Sequence, residues 1–222
     1  MVLQDRAKAT RDAILLGAAS VFEEVGYGNA SISQVADRAS VTKGALYFHF
    51  PSKQALAIAV ISAQHALVTD AAAEITAADN SALESMILMC GSFARQLVSD
   101  PIVRAGIRLT LEAAAFGHLV QEPYEDWIRS MSELAALAQL QGDLHPSLDT
   151  DKLARYIVAS FTGVQMVSEV LTDRADVLER VHQMWDLLLP SIAPSLPRGK
   201  ANLANLILED PLARRPSGRE RR

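Results

Sequence analysis

Ser31-Ile-Ser33-Gln34-Val-Ala-Asp-Arg38-Ala-Ser40-Val-Thr42-Lys43-Gly44-Ala45-Leu46-Tyr47-Phe48-His49-Phe50-Pro51-Ser52-Lys53 is the stretch on which the reading of this chain turns. Ser31 and Gln34 have capping-box spacing: the serine side chain accepts from the backbone three residues on, and the glutamine reaches back. That starts a helix, which is over by Ser40. Thr42 can cap a second short helix, and Pro51 must stop it near His49 because the residue before a proline disfavours helical geometry. Ser52 then caps a long helix that runs beyond His65. Two short helices joined by a tight break, followed at once by a new helix start, outline a helix-turn-helix.

The second short helix has the composition of a major-groove reader. Lys43 at its start can reach guanine O6 or N7, and the small Gly44 and Ala45 let the backbone approach base edges. Thr42, Tyr47 and His49 place hydroxyl and imidazole groups where phosphates would run. Lys53 opens the next helix, and Ser31 and Ser33 offer further phosphate contacts from the preceding one. Ile32, Val35, Ala36, Val41, Leu46, Phe48 and Phe50 read as the apolar side that packs the small domain. An ordinary helical hairpin inside a bundle, with Tyr47 and His49 as partly buried fillers, has the same composition and spacing. The residues alone leave both readings open.

Helical periodicity extends in both directions. Upstream, Ile14, Leu15, Ala18, Ala19, Phe22 and Val25 recur at helical spacing, and Gly26 can take the left-handed conformation that ends a helix. Downstream, Ser81 and Glu84 repeat the capping-box spacing ahead of Leu83, Ile87, Cys90, Phe93, Ala94 and Leu97. Pro101 begins a shorter helix toward Ala113, and Gly117 marks a loop. Pro123 begins another, carrying Tyr124, Trp127, Ile128, Met131, Leu134 and Ala135 on one stripe and ending at Gly142. Two closing helices are expected near 150–171 and 174–189. No stretch alternates with period two for long enough to make a strand, so the fold class is all-α. The expected organisation is a three-helix DNA-binding domain over 1–53, an effector-binding and dimerisation domain over 54–195, and a tail over 196–222. In that tail Ala201–Leu208 can form one short helix, while the basic 211–222 has little to bury and should be disordered.

Bulk composition sets limits. The chain has 222 residues, is 50% hydrophobic with mean hydropathy +0.13, and carries a net charge of -5. Such an acidic total argues weakly against a nucleic-acid binder, but distribution matters more than the sum. Residues 1–53 hold six basic and five acidic side chains, against 15 and 21 in the remainder. Attraction to phosphate must therefore come from local placement. Cys90 is the only cysteine, which rules out an intrachain disulfide and favours a reducing compartment. It reads as a small buried hydrophobe or as a redox sensor. No signal-peptide pattern opens the chain, and no apolar run approaches the roughly 18 residues of a membrane span. A cytoplasmic protein without a membrane partner is expected. His49, His65, His118, His145 and His182 lie in separate segments, and only Glu179 stands at metal-binding spacing from one of them, His182. No metal, cofactor or catalytic centre is expected, and the chain is not read as an enzyme.

The run from Val41 to Lys53, with Ala18-Ala19 and Phe22 to Gly26-Tyr27 upstream, resembles the DNA-binding domain of the TetR family of transcriptional repressors over residues 8–60. That resemblance implies a homodimer, a C-terminal helical domain that binds a small effector and dimerises, and release of operator DNA when the effector binds. A narrower resemblance rests on the same run, on Arg104-Ala-Gly-Ile-Arg-Leu109, on Pro123-Tyr124 ahead of Trp127, and on Phe161-Thr-Gly-Val-Gln165. These are similar to the γ-butyrolactone receptors of streptomycetes, which sense butyrolactone, butenolide or furan autoregulators and control antibiotic production and differentiation. Some members of that group bind antibiotics or no butyrolactone, so a drug sensor controlling an efflux or biosynthesis gene stays open. In the resemblance Trp127 faces the ligand and Gln64 matches by position, with His65 nearby. Ser160, Thr162 and Gln165 interrupt a helix otherwise made of Ile157, Phe161, Val164 and Val167. Each of the three could line the pocket, sit as a satisfied core group, or accommodate a dimer seam. The closing helices, with Leu153, Ile157, Val164 and Val167 on one and Val177, Val181, Trp185 and Leu188 on the other, are expected to form that seam. Ala154, Ala159 and Gly163 would permit close approach.

Overall fold

The computed structural model describes residues 2–113, 117, 120–193 and 203–208, with side chains from residue 5 onward. Those residues form α1 (Val2–Asn29), α2 (Ile32–Arg38), α3 (Lys43–His49), α4 (Lys53–Ala77), α5 (Ala82–Ser99), α6 (Pro101–Glu112), α7 (Glu122–Gln141), α8 (Thr150–Thr172) and α9 (Val177–Ile192), followed by a short 3-10 helix, Leu203–Ile207. Among the described residues there is no strand. His118 and residues 211–222 lie outside them.

Local chemistry sets most of the helix ends. Ser31 and Gln34 form both halves of the capping box, and Thr42 Oγ1 accepts from Ala45 N at 3.1 Å. Ser52 Oγ accepts from Ala55 N at 3.0 Å, and Ser81 and Glu84 repeat the reciprocal pair. Such caps are worth about 1 kcal/mol each. Gly26 adopts non-helical φ 75° and ψ 169° and breaks the helical run as expected, and one further turn carries α1 on to Asn29.

The chain divides into two compact units, Met1–Thr69 with Ser99–Gln121, and Asp70–Val98 with Glu122–Arg222. The first unit is built on Ile14, Ala18, Phe22, Leu46, Leu56 and Val60, and Ala105 and Leu109 of α6 belong to the same core. Linear order had placed α6 with the effector helices. Its packing on α1 comes from that apolar face and from ion pairs that periodicity does not reveal. Phe48, expected in this core, is instead 84% exposed, because Leu46 and Phe50 already fill the space under α3.

The second unit is centred on α5, whose Leu83, Met86, Ile87, Cys90, Phe93, Ala94 and Leu97 are all buried. The 3-10 helix covers part of α5: Arg95 donates to the Ile207 carbonyl at 2.5 Å, and the backbone of Ile207 passes close to Gly91. Burial pushes the Cys90 thiol up to about 12, so this cysteine is an inert core group. The α8–α9 corner turns through left-handed Asp173 and Arg174. Asp176 fastens it, accepting from Ser168 Oγ at 2.6 Å, Thr172 Oγ1 at 2.7 Å and Arg180 Nε at 2.7 Å. Those bonds hold its carboxyl down to about 2.

Two expectations need correction here. Leu153, Ala154, Ile157, Val177, Val181 and Trp185 face the interior of their own unit and are not available to a partner. The free side of the same helices carries Tyr156, Val167, Val170 and Leu187. Second, α4 is long and apolar enough to cross a membrane by length and composition, with an 18-residue window at mean hydropathy 1.4. Its many alanines raise the average, although Ser62, Gln64, His65 and Thr69 interrupt any continuous apolar run.

Candidate DNA-reading face and effector site

On α3, Leu46 is fully buried and Phe50 nearly so, which fixes the helix on the core of the first unit. Lys43 and Gly44 are exposed at its start and Ala45 is half-buried, while Tyr47, one turn on, is 50% exposed. Thr42 uses an oxygen lone pair for its cap and keeps its hydroxyl proton to donate. Ser31 is exposed at the α2 start but its hydroxyl is held by Gln34, at 3.2 Å to the backbone N–H and 2.8 Å to Oε1. Ser33 is half-buried on the same turn. His49 is half-buried, its ring edge-on to Phe48 at 5.2 Å. The first turns of α3 thus present small residues flanked by a long cation and a phenol.

Lys53 departs from its expected place on the phosphates. Its ammonium holds the carbonyls of Tyr27 at 2.9 Å and Ala30 at 3.0 Å, with that of Gly28 at 3.5 Å, and sits 4.4 Å from the Tyr27 ring centroid. A flexible ammonium takes whichever acceptors are nearest, and here the end of α1 supplies them.

In the first unit Gln64 is only 3% exposed, and its Oε1 is buried without a hydrogen-bond partner. Gly106 makes room for it: a Cβ at that position would lie 2.3 Å from Gln64 Cβ. His65, next along α4, is half-buried. A buried amide oxygen with no donor costs free energy, on the order of 1–3 kcal/mol, unless something supplies one.

In the second unit Trp127, Phe93 and Phe161 meet as a cluster, with ring centroids 4.9–5.1 Å apart. One helical turn beyond Phe161, Gln165 is 2% exposed and its Oε1 likewise lacks a partner. Thr162 donates to the Val158 carbonyl at 2.8 Å and bonds the Tyr124 hydroxyl, whose pKa is raised by burial. Ser160 is not part of this group. It lines an open groove of about 610 Å³ on the outer side of α8 and α9, with Tyr156, Gly163, Val164, Val167 and Leu187. The helical angle explains the split: position 165 falls near 161, whereas 160 is a hundred degrees away. No cluster of three metal-ligating side chains occurs among the described residues.

A three-helix reading head and an all-helical second unit define a helix-turn-helix regulator, and residues 14–60 match the family described as "Bacterial regulatory proteins, tetR family". Residues 80–194 match "Tetracyclin repressor-like, C-terminal domain". The chain belongs to the TetR family of bacterial regulators. It is 40% identical over 210 residues to the A-factor receptor protein of Streptomyces griseus, covering 92% of this chain and 73% of that protein. A γ-butyrolactone receptor described as ArpA-like superposes with TM-score 0.79 at 31% identity, over 92% of this chain and all of that one. CprB of Streptomyces coelicolor, solved in complex with its biological operator sequence, superposes with TM-score 0.80 at 30% identity, also over 92% of this chain and 100% of the other.

Proposed function

We propose that this protein is a ligand-released transcriptional repressor of the γ-butyrolactone receptor type, acting in the cytoplasm as a homodimer on an inverted-repeat operator and governing antibiotic production or differentiation genes. The observation that carries the reading is the extent of the likeness to the A-factor receptor, which runs through the effector unit and not only the head. In this reading Lys43, Gly44 and Ala45 meet base edges, and Thr42, Tyr47, His49 and the exposed edge at Ser31 and Ser33 meet the backbone. Two-fold symmetry puts the half-site centres one helical turn, about 34 Å, or a multiple apart. The second copy docks on the outer faces of α8 and α9. There Val170 is 83% and Leu187 80% exposed, and the exposed Ala159 and Gly163 allow close approach.

The effector is a small lactone with an alkyl arm. Trp127 with Phe93 and Phe161 supplies an apolar wall, and Gln165 supplies a buried amide that can donate to a carbonyl and accept from a hydroxyl. Thr162 and Tyr124 border the wall; in the first unit, Gln64 with its neighbour His65 is a separate effector-contact candidate. Ligand filling favours a head arrangement with weaker DNA affinity. A coupling of about 1–3 kcal/mol between the sites is the usual size and is enough to vacate a promoter. A gel-shift titration with DNA from upstream of its own gene and a synthetic γ-butyrolactone bearing an alkyl arm tests this. Wild type should release the DNA, while Trp127→Ala should keep DNA binding and lose release. Failure of wild type to respond to any such lactone removes the effector assignment and leaves DNA binding standing.

A further inference from the structure

The link between α1 and α2 is gripped from two sides. At Gly26 the left-handed backbone leaves space that α6 occupies: an added Cβ would stand 2.7 Å from Arg108 Nη2 and 3.0 Å from Glu112 Oε1. The next residue, Tyr27, donates its backbone N–H to Glu112 Oε2 at 2.7 Å. Arg108 holds that carboxylate at 2.9 Å and also donates to the Glu23 carbonyl at 2.6 Å, while Arg104 pairs with the Glu23 side chain. On the opposite side Lys53 takes the carbonyls of Tyr27 and Ala30, and Ala30 immediately precedes Ser31, the cap of α2. One residue, Tyr27, therefore donates its N–H to α6 and has its carbonyl accept from the start of α4.

We propose that Glu112 and Lys53 form a clamp on the 26–30 link: positioning residues through which α6 holds the helix-turn-helix in operator-binding geometry, and through which the effector loosens it. The proposal rests on the repressor reading above. Three observations raise it beyond ordinary packing. α6 is remote in sequence from the head, and it lies in the segment, Ser99–Gln121, by which the chain returns to the first unit. It also carries Gly106, against which the buried Gln64, whose Oε1 has no partner, is packed with no slack. A shift of Gln64 toward an effector must therefore be felt by the helix that carries Arg108 and Glu112. The link also sits directly ahead of α2, so its geometry sets the tilt of both short helices. The charge on Glu112 strengthens its bond to Tyr27, and neutralising the carboxylate weakens that bond without changing the size of the side chain.

Full-length wild type, Glu112→Gln, Lys53→Met and the double variant are titrated by fluorescence anisotropy with duplex DNA from upstream of their own gene. Several salt concentrations are used, with and without a synthetic γ-butyrolactone bearing an alkyl arm. Each single variant should bind about tenfold more weakly, an effect of ordinary coupling size, and the lactone should release it by a smaller factor than wild type. The double variant should be no weaker than the worse single one, because both changes open the same clamp. The salt dependence should keep the wild-type slope. A slope lower by about 1 in Lys53→Met would make Lys53 a phosphate contact and overturn the clamp. Multiplicative losses in the double variant, with a wild-type release factor, would overturn it too. A wild type indifferent to the lactone sinks the effector reading instead, and affinity, additivity and slope still decide the clamp. Should Glu112→Gln fail to fold, Lys53→Met and its charge-preserving counterpart Lys53→Arg carry the same test, with Lys53→Arg expected to restore affinity.

Discussion

In the proposed function the outer face of α3 and the aromatic cluster of the second unit meet their partners by opposite means. Lys43 and Tyr47 stand exposed on a short helix pinned from beneath by Leu46, so their reach is free while their base is fixed. Gln165 and Phe161 are sealed in the core, and the polar atoms that matter are the few left without partners. DNA is a large charged surface that comes to the protein, so its readers must project. A small lactone must be taken out of water, so its readers must be buried and largely apolar. Residues that serve the first purpose contribute little to stability, and residues that serve the second contribute a great deal.

That contrast can be broken most forcefully at Phe161. Phe161→Ala should cost about 3–5 kcal/mol of unfolding free energy, measured by urea titration. A loss under about 1 kcal/mol would show that the cluster is not core at all. Next in size, Lys43→Ala should weaken operator binding by about 1–3 kcal/mol, as for a specific base contact, and adding Tyr47→Ala should deepen the loss. The melting temperature of that double variant should hardly move, since exposed substitutions fall within about 0.5 kcal/mol. Unchanged promoter occupancy in the double variant would end the reading of α3 as the groove helix.

Acid sharpens the comparison inside the second unit. The Asp176 carboxyl is held down to about 2 by Ser168, Thr172 and Arg180, so its contribution is complete above the ordinary carboxylate range near pH 4. It disappears as pH falls through about 2. Asp176→Asn should therefore lower stability at pH 7 and flatten the part of the acid-unfolding curve between about pH 4 and 2, read by circular dichroism. The smallest effect is expected at Phe48, where Phe48→Ala should change stability by no more than about 0.5 kcal/mol because the ring is already in solvent. A loss of 2 kcal/mol or more would return Phe48 to the core position that its hydrophobicity suggested.

Legibility followed the range of the interaction. The caps at Ser31, Thr42, Ser52 and Ser81 were readable because each bond spans three residues of chain. The buried stripe of α7 at Met131, Ala135 and Ala138 follows from period alone, and only Ala138 was left out of the expected set. What periodicity could not tell was which of two apolar faces on α8 looks inward. Both Ile157 and Val167 lie on stripes, and only packing against α5 and α7 selects the first. The roles of Glu112 and Arg108 had no local signal either, since their partners at Glu23 and Tyr27 lie more than eighty residues away along the chain.

By itself the sequence determined most of the helix starts, the all-α class and a composition on α3 suited to groove reading, because caps, prolines and periodicity act within a few residues. Tertiary structure decided that Lys53 turns inward to the end of α1, that Ser160 faces the outer groove, that Phe48 stays in solvent and that α6 joins the head. The reason is common to all four. A long cation, a small hydroxyl, a surplus aromatic ring and an amphipathic helix each have several acceptable surroundings, and only the assembled neighbours choose among them.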